Sequence, residues 1–169
     1  MFSTQAFQYP RLLLSIPLLM FFFVPVASAQ TVFTVGGDVD TPLHLTAADL
    51  SKMPRATAAL TQQGQTVTYE GVLLYDLLVK AGVPFGKAMT GKPMASYLLL
   101  TARDGYQVVF ALPELDPKFE GAKVILADKR DGGPLPATEQ PLRVVAPQDK
   151  MHARSIYSVV KAEVVRLRK

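Results

Sequence analysis

The chain has 169 residues with no cysteine, and its 18 basic and 14 acidic side chains give a net charge of +4. The lack of cysteine excludes sites that need a protein thiolate: a cysteine nucleophile, an iron–sulfur cluster or a metal held by protein sulfur. A nucleic-acid-binding protein is expected to have a basic stripe interleaved with exposed aromatic residues, and no such stripe is present, so we predict no nucleic-acid partner.

The first 29 residues are typical of an export signal. Arg11 supplies a positive flank, residues 12–26 are almost wholly apolar, and small residues at 27–29 precede Gln30. The apolar core is shorter than the roughly 20 residues that span a bilayer, which argues against the alternative of a retained membrane anchor. We therefore expect residues 1–29 to be a signal peptide and the protein to be periplasmic or secreted, with no membrane span after cleavage.

Residues 30–169 are long enough to form one domain with its own core. Cleavage would remove Arg11 alone among the charged residues, leaving 17 basic side chains against 14 acidic ones and a charge of +3. Such a small surplus is expected of an ordinary soluble surface.

Strand and short-helix signals alternate in the first part of the domain. Residues 32–35 have the composition of a short strand, and residues 43–45 continue an extended segment after Pro42. Thr46 and Asp49 have the spacing of a capping box, which predicts a short helix that ends before Pro54.

A hairpin and a second helix are predicted next. Residues 55–61 and 66–70 flank a polar turn, as the two strands of a hairpin do. Within residues 72–81 the leucines repeat at helical spacing on one face, and Gly82 is suited to cap the C-terminus of that helix.

The second half of the domain is rich in strand signals. Residues 112–119 form a short turn or helical piece, and the predicted strands cover residues 97–102, 106–111, 124–127, 142–146 and 156–167. The first two of these strands are joined by an Asp-Gly turn, a strong hairpin signal. We count about seven or eight strands and two short helices, which predicts an α+β fold with a mixed, mostly antiparallel sheet.

A loop between two apolar strands gathers four basic residues, and these are the main candidates for contacts to an anionic ligand: Arg130, Arg143, Lys150 and Arg154. Arginine offers paired donors that suit phosphate and carboxylate groups. Arg143 lies inside an apolar strand, where an unpaired charge would be costly. Its partner is therefore either a structural carboxylate such as Asp131 or Asp149, or a ligand. As solvated loop charges, the other three basic residues need no ligand to explain them.

Asp104 and Tyr106 are further candidates, because this hairpin turn can face a pocket, although turn chemistry alone also explains the Asp-Gly pair. The two histidines, His44 and His152, are far apart and lack metal-ligand spacing, so we predict no metal site. No serine lies in a Gly-x-Ser-x-Gly motif, so hydrolase chemistry has no support.

Together the segments resemble the molybdopterin-binding domain of the sulfite oxidase family. The resembling segments occur in family order and span nearly all of the chain after the leader: residues 45–54, 69–78, 102–106 and 124–154. In that family a molybdenum ion on a pterin dithiolene is completed by one protein cysteine, in a Leu-x-Cys-x-Gly pattern after a strand. Here the matching residues are Leu60-Thr61-Gln62-Gln63-Gly64, so Gln62 stands at the ligand position.

The chain departs from the family at three other places near the implied metal centre. Asp128 stands where many members have tyrosine. Glu139-Gln140 replaces the family's His-Gly before Pro-x-Arg, so that only Arg143 remains of that motif. Tyr157-Ser158 stands where a Lys-Trp pair is usual.

The resemblance implies molybdopterin as the candidate cofactor, without a protein thiolate for molybdenum. We expect an exported protein that binds a pterin or another anionic small molecule and is not a competent sulfite oxidase. Arg143, Arg154 and Lys150 would be its main contacts. Two alternatives stay open: a periplasmic molybdenum-dependent oxidoreductase with a non-cysteine metal ligand, and an accessory protein that binds a partner in the cell envelope.

Overall fold

A computed structural model describes residues 30–62 and 64–167, apart from the side chain of Gln62. The predicted signal peptide, residues 1–29, lies outside these residues. Among the helices of the described residues, none is long and apolar enough to cross a membrane.

The described chain is built mainly from strands. In chain order they are β1 (Thr31–Gly37), β2 (Leu43–Thr46), β3 (Ala56–Gln62), β4 (Gln65–Leu73), β5 (Tyr97–Ala102), β6 (Gln107–Ala111), β7 (Ile125–Arg130), β8 (Gly133–Pro134), β9 (Arg143–Val145) and β10 (Val159–Val165). The α-helices are α1 (Ala47–Ser51), α2 (Leu74–Lys80) and α3 (Leu112–Leu115), and short 3-10 helices cover Gly86–Ala88, Lys92–Ala95 and His152–Arg154.

The strands form two five-stranded sheets. The first has the order β2-β1-β10-β5-β6, in which β1 and β10 run parallel and the other neighbours are antiparallel. The second has the order β3-β4-β7-β8, and β9 also pairs with β7. All of the pairs in the second sheet are antiparallel. The predicted α+β class with mostly antiparallel sheets is confirmed.

Strand alternation places two apolar clusters on opposite faces of the second sheet. Leu126 and Val144 belong to the main core, which also contains the buried residues of the first sheet and the leucines of α2. Ile125 and Val145 belong to a smaller cluster that contains Tyr69. A buried strand with apolar residues on both faces explains the continuous apolar run at the start of β7.

Local signals in the sequence predict several elements well. The capping box is present: Thr46 N donates to Asp49 Oδ2 at 2.9 Å, and Asp49 N donates to Thr46 Oγ1 at 3.2 Å. Both predicted hairpins are also present, as β3–β4 and β5–β6.

Two predictions need correction. The second helix begins at Leu74 and not at residue 72, because Val72 and Leu73 pair with β7 and complete β4. The described chain also has ten strands, where about seven or eight were predicted. The strand β8 has only two residues and is too short to produce a periodic signal. The turn or helical piece expected within residues 112–119 is present as the short helix α3.

Candidate anion-binding cavity

One cavity of about 550 Å³ lies beside the smaller apolar cluster of the second sheet. Three basic side chains line it, those of Arg130, Arg143 and Lys150, together with one carboxylate, Glu139. These four side chains have a net charge of +2. The remaining lining residues are Leu60, Thr61, Gln65, Val67, Tyr69, Met151, His152 and Tyr157. The cavity is therefore electropositive and has an apolar and aromatic wall.

Arg143 is held between two aromatic rings. Its guanidinium carbon lies 4.6 Å from the centre of the Tyr69 ring and 4.3 Å from that of Tyr157. Arg143 Nη1 also donates a hydrogen bond to the Tyr69 hydroxyl. A guanidinium over an aromatic face is attracted by the ring quadrupole, and more strongly where water is excluded. The side chain is only 3% exposed, so its orientation is determined by packing.

Glu139 is the carboxylate that compensates Arg143. Glu139 Oε2 lies 3.0 Å from Arg143 Nη1, and Glu139 Oε1 accepts a hydrogen bond from Arg130 Nη1 at 2.9 Å. Glu139 is 4% exposed, so this bridge between two guanidinium groups is almost fully buried. Buried charges are expected to be paired in this way.

The individual carboxylates predicted to pair with Arg143 are wrong. Asp131 Oδ1 instead accepts from Thr68 N at 2.9 Å, and Asp149 binds Arg154. Of the two alternatives for its partner, the structure contains a structural carboxylate, and that carboxylate is Glu139. Glu139 comes from the segment between β8 and β9, where its amide bonds to Pro136 O at 2.8 Å.

Tyr69 is a buried phenol at the floor of the cavity. Burial raises the pKa of Tyr69 above its ordinary value, and the neighbouring positive charge of Arg143 opposes this effect. The phenol is therefore neutral at physiological pH, and its oxygen can accept the hydrogen bond from Arg143.

A bulge between β4 and β7 determines which β7 side chains reach the cavity. The pairing runs from Gly71 with Ala127 to Glu70 with Lys129, which leaves Asp128 as an extra residue. Such a bulge re-aims side chains on the bulged strand. Arg130 lies beyond it and lines the cavity, next to its strand partner Tyr69.

Asp128, at the position of the family tyrosine, has a structural role. It accepts two hydrogen bonds from Arg55, one of them from Nη1 at 3.0 Å, and Arg55 Nε also donates to Glu70 at 2.9 Å. The hydrogen bond from Arg55 lowers the pKa of Glu70 below its ordinary value. This network joins the segment before β3 to β4 and β7, and Asp128 is not among the residues that line the cavity.

Arg154 lies apart from the other predicted contacts. Arg154 Nη2 donates to Asp149 at 2.7 Å and Nη1 donates to Glu114 at 2.9 Å, while the guanidinium covers the Phe110 ring at 4.3 Å. The hydrogen bond to Asp149 raises the pKa of Arg154. Arg154 therefore ties the loop before β10 to β6 and α3, and it does not line the cavity that contains Arg143.

Asp104 and Tyr106 line a second, smaller cavity of about 270 Å³. Asp104 Oδ1 accepts from Tyr106 N at 3.0 Å, which is the turn chemistry expected of an Asp at this position. His152 and Tyr157 line both cavities, so the two are neighbours. The structure thus groups Arg130, Arg143 and Lys150 in one cavity and the Asp104 turn in the next.

The sequence interpretation did not propose four lining residues as site residues: Tyr69, Glu139, His152 and Tyr157. For Glu139 a signal was available, because it precedes Arg143 by four residues and replaces a family histidine-glycine pair. Tyr157 also had a signal, because it stands where the family usually has a Lys-Trp pair. For Tyr69 no local signal exists, since its contact with Arg143 joins residues that are distant in sequence.

The cavity has few donors that could ligate a metal. The chain has no cysteine, and the described residues contain no group of three or more His, Asp or Glu that could hold an ion. Gln62 pairs with Gln65 at the end of the β3–β4 hairpin, but its side chain lies outside the described part. The one carboxylate that lines the cavity is already bound to two arginines. These residues do not fit the thiolate ligation of molybdenum that the family resemblance implies.

Comparison with known proteins gives one family and one fold. The family model for the oxidoreductase molybdopterin binding domain matches residues 22–167. No curated protein sequence matches the chain. Among solved structures, the crystal structure of the sulfane dehydrogenase SoxCD from Paracoccus pantotrophus is similar, with a TM-score of 0.62 and 22% sequence identity over 81% of this chain. The match covers 39% of that chain, so the present chain spans well under half of its length. At this identity the likeness shows the fold alone.

Proposed function

The chain belongs to the oxidoreductase molybdopterin binding domain family, and we propose that it is an exported member that binds a pterin or another anionic small molecule. The observation that supports this most directly is the cavity itself, where Arg130, Arg143 and Lys150 give a net charge of +2 with Glu139. A low-dielectric wall strengthens the field of such a cluster and concentrates anions near it.

Lys150 is the basic residue best placed to meet a ligand. Arg143 is compensated by Glu139, and Arg130 shares the same carboxylate. Among the described residues, no carboxylate forms an ion pair with Lys150, which lines the cavity. A phosphate or carboxylate group of a ligand would complete the pairing of this ammonium group.

We propose further that the protein does not oxidise sulfite through a molybdenum centre of the family type. This proposal is supported by the donor set: no cysteine, and a single cavity carboxylate already engaged by two arginines. The protein would then have the family fold and a basic cavity but lack the thiolate that a soft metal prefers. Export is supported by the leader alone, and N-terminal sequencing of the envelope protein is expected to begin at Gln30.

Calorimetric titration with a pterin carboxylate tests the proposed ligand class. Lys150→Ala is expected to weaken binding by about two- to fivefold, the loss typical of one partly exposed ion pair. Lys129→Ala is the matched control: it removes the same charge from a side chain that pairs with Glu70 and does not line the cavity, so it should leave the affinity unchanged. Equal affinities of Lys150→Ala and the unsubstituted protein would contradict the assigned site.

A further inference from the structure

Glu139 occupies the place where a ligand oxyanion would be expected. Its two oxygens contact two different guanidinium groups, at 2.9 Å to Arg130 and 3.0 Å to Arg143. A carboxylate or phosphate of a bound ligand would use its oxygens in the same way. The cavity therefore already contains an anion, and that anion is part of the chain.

The pairing of Glu139 with Arg143 leaves hydrogen-bonding capacity unused. Arg143 Nε is buried without an acceptor, and Glu139 Oε2 meets no donor with hydrogen-bond geometry although Arg143 Nη1 is close. Polar atoms buried in this way are costly, and Arg143 is only 3% exposed, so an incoming anion cannot supply the missing hydrogen bonds while Glu139 is in place.

We propose that Glu139 is the specificity-determining residue of the cavity. It acts as an internal counter-ion that disfavours the binding of doubly charged anions. Lys150 and the exposed side of Arg130 then bind singly charged anions. This inference rests on the proposed function, because it concerns the same cavity. Arg130 is 35% exposed at its side chain while Arg143 is 3% exposed, so only the former presents a face to an incoming ligand.

The charge of the ligand determines how strongly its free energy of binding depends on Glu139. Removing the carboxylate changes the net charge of the four cavity side chains from +2 to +3, and the interaction energy is proportional to the product of the charges. A dianion should therefore gain about twice the free energy that a monoanion gains, so a tenfold gain for a dianion corresponds to about threefold for a monoanion.

The test measures the affinities of sulfate and formate, as dianion and monoanion probes, for the full chain and for Glu139→Gln. We expect Glu139→Gln to bind sulfate about tenfold more tightly and formate about threefold more tightly. A purely structural role of Glu139 would not change the ratio of the two affinities. Glu114→Gln is the matched control, since it removes a carboxylate from an arginine that does not line the cavity, and both affinities should stay at the wild-type value.

The outcomes separate this inference from the proposed function. Sulfate affinity in Glu139→Gln that equals or falls below the wild-type value overturns the inference, even if the unsubstituted protein binds a pterin carboxylate. Tighter sulfate binding by Glu139→Gln, together with no binding of a pterin carboxylate or of formate by the unsubstituted protein, supports the role of Glu139 and contradicts the proposed function.

Glu139→Ala covers the case in which Glu139→Gln does not fold. It also removes the carboxylate, so the net charge of the four cavity side chains again becomes +3. Sulfate affinity should rise by a larger factor than formate affinity, and an unchanged ratio of the two affinities in a folded Glu139→Ala protein would overturn the inference.

Discussion

Arg143 and Glu139 are each almost fully buried, and each compensates the charge of the other. Their exposed fractions are 3% and 4%, and the closest charged atoms lie 3.0 Å apart. A buried pair of this kind adds little net stability, since desolvation offsets the attraction, but the loss of one partner is strongly destabilising. The pair therefore restricts which substitutions the cavity can accept.

Arg143→Met is predicted to lower the free energy of unfolding by about 3 kcal/mol, because it leaves the buried Glu139 with only one of its two partners. Urea denaturation followed by circular dichroism measures this change. Lys161→Met is a suitable control: it removes a cation from an exposed pair with Glu163 and should change stability by less than about 1 kcal/mol. Equal changes in the free energy of unfolding for the two substitutions would contradict the inference that loss of one buried partner is strongly destabilising.

The sequence predicts the need for a partner at Arg143 better than it predicts the partner. An arginine inside an apolar strand requires compensation, and this follows from solvation alone. The identity of the partner depends on the path of the chain between Pro136 and Pro141, which brings Glu139 Oε2 within 3.0 Å of Arg143 Nη1. Arg154 was grouped with Arg143 because of sequence distance, but contacts to Asp149 and Glu114 hold it elsewhere.

At the scale of elements, the hairpins and the capping box were predictable because their signals are local. The start of α2 was not, since pairing with β7 extends β4 through Leu73. The bulge at Asp128 has the same origin: it exists only where two strands distant in sequence meet. These two features set the register that places Arg130 opposite Tyr69.

Gly71 makes the close approach of β4 and β7 possible. A Cβ atom at this position would lie 2.1 Å from Leu126 O and 2.5 Å from Ala127 Cα, and both are backbone atoms that cannot move aside. We expect Gly71→Ala to lower the free energy of unfolding by about 3 kcal/mol, the upper end of the usual cost of overpacking. Thermal and urea denaturation measure the effect.

Gly36→Ala is the matched control for that substitution. Gly36 also lies in a strand, but a Cβ atom there would meet nothing within 4 Å. The free energy of unfolding of the Gly36→Ala protein should remain within about 0.5 kcal/mol of the wild-type value, as for most surface substitutions. If Gly71→Ala were as mild as Gly36→Ala, the contact between the two strands would be looser than the structure indicates.

At the scale of the whole molecule, the family and the α+β class followed from the order of several weak segments, and both are confirmed. The domain buries its main core between two sheets and has its basic cavity on the opposite face of the second sheet. The residues that line the cavity are therefore largely separate from those of the main core.

The most direct test of this account is the molybdenum content of the full chain after expression in a host that synthesises the pterin cofactor. The molybdenum concentration, measured by mass spectrometry, is divided by the protein concentration. Without a protein thiolate, and with Glu139 bound to two arginines, we predict molybdenum far below one atom per chain. One tightly bound molybdenum atom per purified chain would contradict the account.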